Sequence, residues 1–381
     1  MTIQTRSGTA IALLAVACLT IMVGCVIVPG LPSIAKQLGV AHAASWLVTI
    51  PSLGVVIFGP LAGRWIEKAG LYKALCHGLV LYGLLGVGGA LLRGYWLVFA
   101  DRLLLGGATA LVMASGTGLI SLFYEGKARM AMMAKQGMAI ELGGVIMLAL
   151  GGVLASIHWF WPFALYLTAW LLFALVLWLV PNPQVAAPSH GETADTPKLP
   201  AAIKLVYFAA LLSMVVFFTA VIVLPFRLHA QGFSEAQTGY FLSFVSLMAV
   251  AAAANMPKVV TQLGEHKTLL LAFICYALGH GCFAFAQQLS VFIAGAVLTG
   301  IGFGLSIPLV NHMTVELSHP KVRGRFLAYL SMAIFSGQFL SSFVAMVPVA
   351  PATTFEIATA VALVAGILVM FFHQRIRHVT D

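Results

Sequence analysis

Residues 181–200 read PNPQVAAPSHGETADTPKLP, the one long polar stretch in this chain of 381 residues. The stretch is rich in Pro, Ala, Ser and Thr and shows no apolar periodicity, so it predicts a flexible linker. On each side of it lie six apolar runs of about 20 residues, the length that crosses a hydrocarbon core. The linker therefore divides a membrane protein into six spans and six spans.

The predicted fold is all-α, with twelve transmembrane helices in two pseudo-symmetric six-helix bundles. The apolar runs are too long for barrel strands and do not alternate with period two, so helices are expected to cross the bilayer. We expect an N-terminal bundle over 1–180, a cytoplasmic linker over 181–201 and a C-terminal bundle over 202–381. The predicted spans are 9–30, 44–65, 73–92, 95–121, 135–157, 160–180, 202–226, 238–256, 267–287, 291–315, 324–347 and 351–372.

The distribution of charge predicts the topology. Only 8% of the residues are charged, whereas a soluble domain carries about 25%. The net charge is +9, but it does not indicate nucleic-acid binding, because most Lys and Arg residues lie in alternate loops. This positive-inside pattern places both termini in the cytoplasm, and we expect a bacterial inner-membrane protein. The first span is too long for a cleaved signal, and further apolar runs follow it.

Several classes of chemistry are missing from the sequence. All five cysteines fall in apolar spans, so no disulfide framework is implied. We find no thiol pair at metal spacing, no phosphate loop and no hydrolase serine elbow. The sequence therefore predicts a protein that is not an enzyme and that needs neither a metal nor another cofactor.

The two halves resemble each other at a shift of 194 residues. The shift places Gly70 on Gly264 and Gly106 on Gly300. Parallel repeats of this kind are found in transporters, where the substrate site lies between the repeats. The other matches are Leu75 with Leu269, Lys73 with Lys267, Lys127 with Lys321, Arg129 with Arg323, and Gly143 with Gly337.

The loop after span two reads GRWIEKAGLYK over residues 63–73. Gly63 and Gly70 permit close helix approach and a sharp turn. Glu67 can bridge to the facing bundle or to a helix N-terminus. Lys68 and Lys73 can pair with acids or with anionic lipid. Such a cluster would lock one bundle against the other, although an ordinary charged loop that follows the positive-inside rule explains the same residues.

This loop resembles the signature loop of the major facilitator superfamily, at the expected position between spans two and three. Residues 101–107, DRLLLGG, resemble the family's fourth-helix motif. Residues 29–34, PGLPSI, look like a stretch typical of its drug and metabolite exporters. Residues 337–341, GQFLS, are similar to a motif of bacterial efflux members. The resemblance covers the whole chain and implies the major facilitator fold and alternating access, with proton antiport in the efflux type.

The resemblance also implies roles for individual residues. Glu125 would join a charge relay with the signature loop, and Arg102 would serve in proton coupling. A structural role for Arg102, paired with a carbonyl or carboxylate, is the alternative. The residues expected in gating are Gly63, Glu67, Lys68, Gly70, Lys73, Glu125 and Arg129. Those expected to line the substrate cavity are Asn311, His312 and Gln338.

The chain departs from the family pattern in two places. The second-half equivalent of the signature loop, residues 257–267, has Thr261 and Gln262 where the acid–base pair would stand. The antiporter motif of span five expects Gly-Pro before a double glycine. Met147 and Leu148 occupy those positions, and only Gly151-Gly152 is retained. The second departure counts against antiport.

Two further groups are candidates for proton coupling. Glu141 lies about two turns into span five, where a carboxylate costs about 2.5–3.5 kcal/mol or more, so it should face the protein interior. There it could exchange a proton as the protein changes conformation, or it could be a hydrogen-bonded structural acid. His312 could carry a proton or contact substrate. The alternative is a histidine that is satisfied within the core.

The function that we predict is secondary transport by alternating access, driven by protons. Export of a small amphipathic compound, such as a drug-like molecule or a secreted siderophore, is the leading expectation. A proton-coupled importer of a nutrient or metal-chelate and a transport-inactive membrane receptor are the alternatives. The expected partners are the solute, protons and the lipid bilayer, and we expect a monomer.

Overall fold

The computed structural model describes residues 7–183, 200–319 and 323–380. Nearly all of the predicted linker lies outside these residues. Within the described part of the chain, twelve helices are long and apolar enough to cross a membrane. This confirms the predicted all-α fold and the number of spans.

The observed helices differ from the predicted spans by up to nine residues, the largest difference being at the start of span five. Span one comprises Ser7–Ala17 and Leu19–Cys25, and span six comprises Trp161–Ala164 and Thr168–Leu179. The helix Leu31–Gln37 connects spans one and two. Spans two to five are Trp46–Ala69, Leu71–Gly88, Tyr95–Phe123 and Gly126–Ile157. Spans seven to twelve are Ala201–Ala230, Glu235–Leu263, Glu265–Phe285, Leu289–Glu316, Arg323–Ala345 and Pro351–Thr380.

Span one is shorter than predicted, because its helix ends at Cys25 and the chain turns over residues 26–30. Tyr166 donates its hydroxyl hydrogen to the carbonyl of Val23, at 2.9 Å. Tyr82 donates to the carbonyl of Leu19, at 2.8 Å. An unpaired backbone carbonyl is costly where water is absent, so the Tyr166 hydroxyl satisfies a carbonyl in the last turn of this helix. Span six therefore stabilises the end of the helix Leu19–Cys25, and span three is bonded to its first residue.

The described residues form two compact units. The first contains the residues before the linker together with Ser234–Tyr240, and the second contains the remainder after the linker. Within the first unit, Ser33 donates to Glu235 at 2.7 Å. Gly152 and Gly239 also pack closely, since a Cβ on Gly152 would lie 2.8 Å from the Gly239 Cα. The predicted domain boundaries stay a prediction, because the linker lies outside the described residues.

The 194-residue repeat is visible in the backbone. Gly70 joins spans two and three with a φ of +81°, and Gly264 joins spans eight and nine with the same φ. Each glycine donates its N–H to the carbonyl four residues earlier, of Ile66 and Val260, at 2.8 Å in both cases. The repeat thus extends to the conformation of these turns.

The same repeat governs how helices pack within each unit. A Cβ on Gly106 would overlap the carbonyl oxygen of Pro51, so spans two and four touch through their backbones. A Cβ on Gly300 would lie 2.6 Å from the carbonyl oxygen of Val245, in spans ten and eight. Both partners are related by the same shift of 194. Small residues at these crossings allow the close approach that drives helix association in membranes.

We expect Gly106→Ala and Gly300→Ala to destabilise the protein by about 1–3 kcal/mol each, because a backbone carbonyl cannot move aside as a side chain can. Thermal unfolding in detergent measures the loss. Gly281→Ala is the matched control, since no atom lies within 4 Å of its Cβ position. Equal unfolding temperatures for all three variants would contradict the packing described here.

Candidate functional site

Glu141 lies in the helix of span five and is partly buried. It makes no hydrogen bond or ion pair with any other described residue, and it is close enough to the thiol of Cys25 to interact electrostatically. Span five approaches span one closely here, because a Cβ on Gly143 would lie 2.8 Å from the Cys18 Cβ. The Cys18 thiol donates to the carbonyl of Ala139 at 3.1 Å. Glu141 is therefore an unpaired carboxyl beside the irregular end of span one.

Arg102 is fully buried in span four and its guanidinium is well satisfied. It pairs with Asp101, whose Oδ2 accepts from Nη2 at 2.7 Å and from Nε at 3.1 Å. Nη2 also donates to the carbonyls of Leu85 and Gly86 in span three, at 3.2 and 3.4 Å. Nη1 donates to the hydroxyl of Tyr166 in span six, at 3.4 Å. These contacts join three spans and favour a structural role.

Aromatic rings and a glycine complete this site. The Arg102 Cζ lies 5.6 Å from the ring centroids of both Phe163 and Tyr166, within the range of cation–π attraction. A Cβ on Gly89 would overlap Arg102 and lie 3.0 Å from the Asp101 carboxylate. Asp101 is buried together with Arg102. Arg102 and Asp101 thus occupy the space beside Gly89, where a residue with a side chain would not fit.

The residues predicted for gating lie around the turn between spans two and three and the one between spans four and five. The side chains of Glu67, Lys68, Lys73 and Glu125 are exposed, and none forms an ion pair or hydrogen bond with a described residue. Arg129 donates its Nε hydrogen to the carbonyl of Tyr124 at 2.9 Å. The structure therefore brings these residues to exposed turns but does not connect them as a relay.

The two glycines of the signature loop differ in whether the structure requires a glycine at their position. Gly70 has φ +81° and ψ 157°, a conformation that is almost confined to glycine. Gly63 lies within the helix of span two, and no atom comes within 4 Å of its Cβ position. Gly70 is thus needed by the turn, whereas Gly63 is not needed by packing among the described residues.

We expect Gly70→Ala to lower the free energy of unfolding by about 1–3 kcal/mol, because alanine is strained at this φ and ψ. Gly264→Ala should do the same, since its φ is identical. Gly63→Ala is the control and should leave stability unchanged or raise it by up to about 1 kcal/mol, since alanine favours a helix. Chemical denaturation of the purified variants checks the order, and a Gly63→Ala loss equal to that of Gly70→Ala would contradict it.

Asn311 and His312 are exposed near the end of span ten. The Asn311 amide donates to the carbonyl of Ile307, four residues earlier, at 2.9 Å. His312 Nε2 lies 3.7 Å from the carboxylate of Glu265 at the start of span nine. The structure thus places His312 against a neighbouring helix of its own unit. Its assignment to the substrate cavity stays a prediction.

Gln338 is buried in span eleven, and its side-chain amide makes no hydrogen bond to a described residue. The neighbouring Gly337 packs on span seven, where a Cβ would lie 2.9 Å from the Met214 Cβ. The described part of the chain contains no group of three or more His, Cys, Asp and Glu residues able to hold a metal ion.

The twelve apolar spans of the described residues and the repeat in two units are the architecture of a membrane transporter. A family model for the Major Facilitator Superfamily matches residues 12–341, with a second match over 206–380. The chain belongs to this superfamily. Because members of the family are transporters, the protein is a transporter and not an enzyme.

The sequences of individual relatives are only distantly similar to that of this chain. The chain is 26% identical over 273 residues to Multidrug resistance protein 2 of Bacillus subtilis, covering 66% of each chain. It is 28% identical over 156 residues to Multidrug resistance protein 1 of the same organism, covering 40% of this chain and 39% of that protein. The nucleoside transporter NupG has a similar fold, with a TM-score of 0.79 at 13% identity, covering 96% of this chain and 99% of that one.

Proposed function

We propose that this transporter exports a small amphipathic compound in exchange for protons, with Glu141 as the proton-carrying group. The observation that carries the proposal is the carboxyl of Glu141, which lies in a membrane span without a partner among the described residues. A carboxylate there is costly unless it gains a proton or a ligand. Binding or release of one proton by Glu141 would therefore change the free energy of span five in the membrane substantially.

The direction of transport is inferred from similarity. The two Bacillus subtilis relatives are named for multidrug resistance, which supports an exporter of drug-like compounds. We place the protein in a bacterial inner membrane with both termini in the cytoplasm, on the positive-inside pattern of its loops.

Export is tested by reconstituting the full chain into liposomes with an imposed proton gradient and a panel of labelled solutes. The proposal expects solute to move against its gradient as protons move in the opposite direction. Movement of solute together with protons would indicate an importer. Binding of a solute with no transport under any gradient would indicate a receptor, and both results would overturn the proposal.

A further inference from the structure

Arg93 lies in the loop between spans three and four, two residues after the short helix Gly89–Leu91. Its Nη1 donates to the carbonyls of Ala90 and Leu92, at 2.8 and 2.7 Å. Its Nε and Nη2 make no hydrogen bond to a described residue, and no described acidic side chain forms an ion pair with it. One edge of an exposed guanidinium is therefore fixed, and the opposite edge is free.

A tryptophan holds the guanidinium from a second side. The Arg93 Cζ lies 4.9 Å from the ring centroid of Trp159, in the loop between spans five and six. The Trp159 ring packs in turn on Phe160 and Phe163, with centroids 5.9 and 6.5 Å away. Cation–π attraction and the two carbonyls together limit the motion of Arg93. A fixed guanidinium loses little entropy when it binds an anion.

The surroundings of Arg93 are apolar and aromatic. Leu91 is 82% exposed and Trp96 is 91% exposed, on either side of it in the chain. Phe160 and Trp161 are also exposed, next to Trp159. Aromatic side chains at the ends of membrane spans characterise the level of the lipid headgroups. This places a free cationic edge at the depth where phosphate groups of lipids lie.

We propose that Arg93 and Trp159 form a binding site for the phosphate of a glycerophospholipid headgroup. Nε and Nη2 present two parallel N–H donors, the arrangement that binds two phosphate oxygens at once. The acyl chains of the lipid would pack beside Leu91 and Trp96. The lipid would thereby connect the ends of spans three and four to the loop between spans five and six, on the side opposite the signature loop.

The site is tested by native mass spectrometry of the full chain, titrated with phosphatidylglycerol or with a galactolipid of the same acyl chains. We expect wild type to retain phosphatidylglycerol. Arg93→Gln should bind it at least about tenfold more weakly, since a charge-assisted pair is lost. Lys36→Gln is the control for net charge, because Lys36 is exposed and lies over no aromatic ring of the described residues. The galactolipid, which lacks phosphate, should not be retained.

Three results would overturn the proposal. They are equal retention of phosphatidylglycerol by wild type and Arg93→Gln, equal loss in Lys36→Gln, and equal retention of the galactolipid. Binding of inorganic phosphate alone as tight as that of phosphatidylglycerol would likewise overturn it, since it would indicate a free-anion site that gains nothing from the lipid. If Arg93→Gln folds poorly, Trp159→Leu gives the same comparison, because it leaves the two carbonyl contacts of Arg93 in place.

Discussion

Glu141→Gln should abolish proton-driven accumulation while the protein remains folded. Glutamine has nearly the shape of the protonated acid but cannot release a proton, so the energy of the gradient no longer reaches the solute. At one proton per solute, a gradient of about two pH units supports a solute ratio of about a hundredfold, because each factor of ten corresponds to about 1.4 kcal/mol. The variant should reduce this ratio to about one, measured in liposomes with a labelled substrate.

The controls separate coupling from damage. Glu141→Asp should retain part of the accumulation, because it keeps a titratable carboxyl one methylene nearer the backbone. Glu356→Gln should behave as wild type, since Glu356 is an exposed carboxyl at the start of span twelve. Unchanged accumulation by Glu141→Gln would show that coupling does not depend on this carboxyl, and it would move the coupling role to Arg102, His312 or elsewhere.

Arg102→Ala should lower the free energy of unfolding by about 3–5 kcal/mol, because it leaves the buried carboxylate of Asp101 without its partner. Arg102→Lys should recover only part of this loss, since one ammonium cannot reach Asp101, Tyr166 and the two carbonyls of span three together. Unfolding in detergent, followed by tryptophan fluorescence, measures the effect. The loss should appear in the absence of any substrate or gradient.

A double-mutant cycle tests whether the two charges act as a pair. Asp101→Asn with Arg102→Gln should cost less than the sum of the two single variants, because neither charge is then left alone. A single variant Arg102→Gln that is as stable as wild type but has lost its response to the proton gradient would contradict the structural role. It would support the coupling role that the family resemblance implies.

The spans could be predicted from sequence because the bilayer requires them. A run of about 20 apolar residues must form a helix where water is absent, so the positions of the helices follow from hydropathy. The end of span one was the exception. The end of its helix at Cys25 is bound by the hydroxyl of Tyr166, which lies far away in the chain. Hydropathy carries no information about such donors.

The candidate site was harder to predict, because it depends on which side chains meet. His312 is an example, although the 194-residue repeat in the sequence did contain a signal for its contact. A shift of 194 places Gly118 at His312 and Leu71 at Glu265. In the first unit, a Cβ on Gly118 would overlap the Leu71 side chain, so these two positions touch. The repeat could therefore have indicated that His312 meets Glu265, although an assignment by family resemblance placed it in the cavity.

The carbonyl of Val23 has a further consequence for how the first bundle responds to a proton. Cys25, which lies near Glu141, is only two residues beyond it in the chain. That carbonyl is bound by Tyr166, and the same hydroxyl receives a hydrogen bond from Arg102. A displacement of span one at Cys25 would consequently be transmitted by these hydrogen bonds to spans three, four and six. These helices would then move together rather than one at a time.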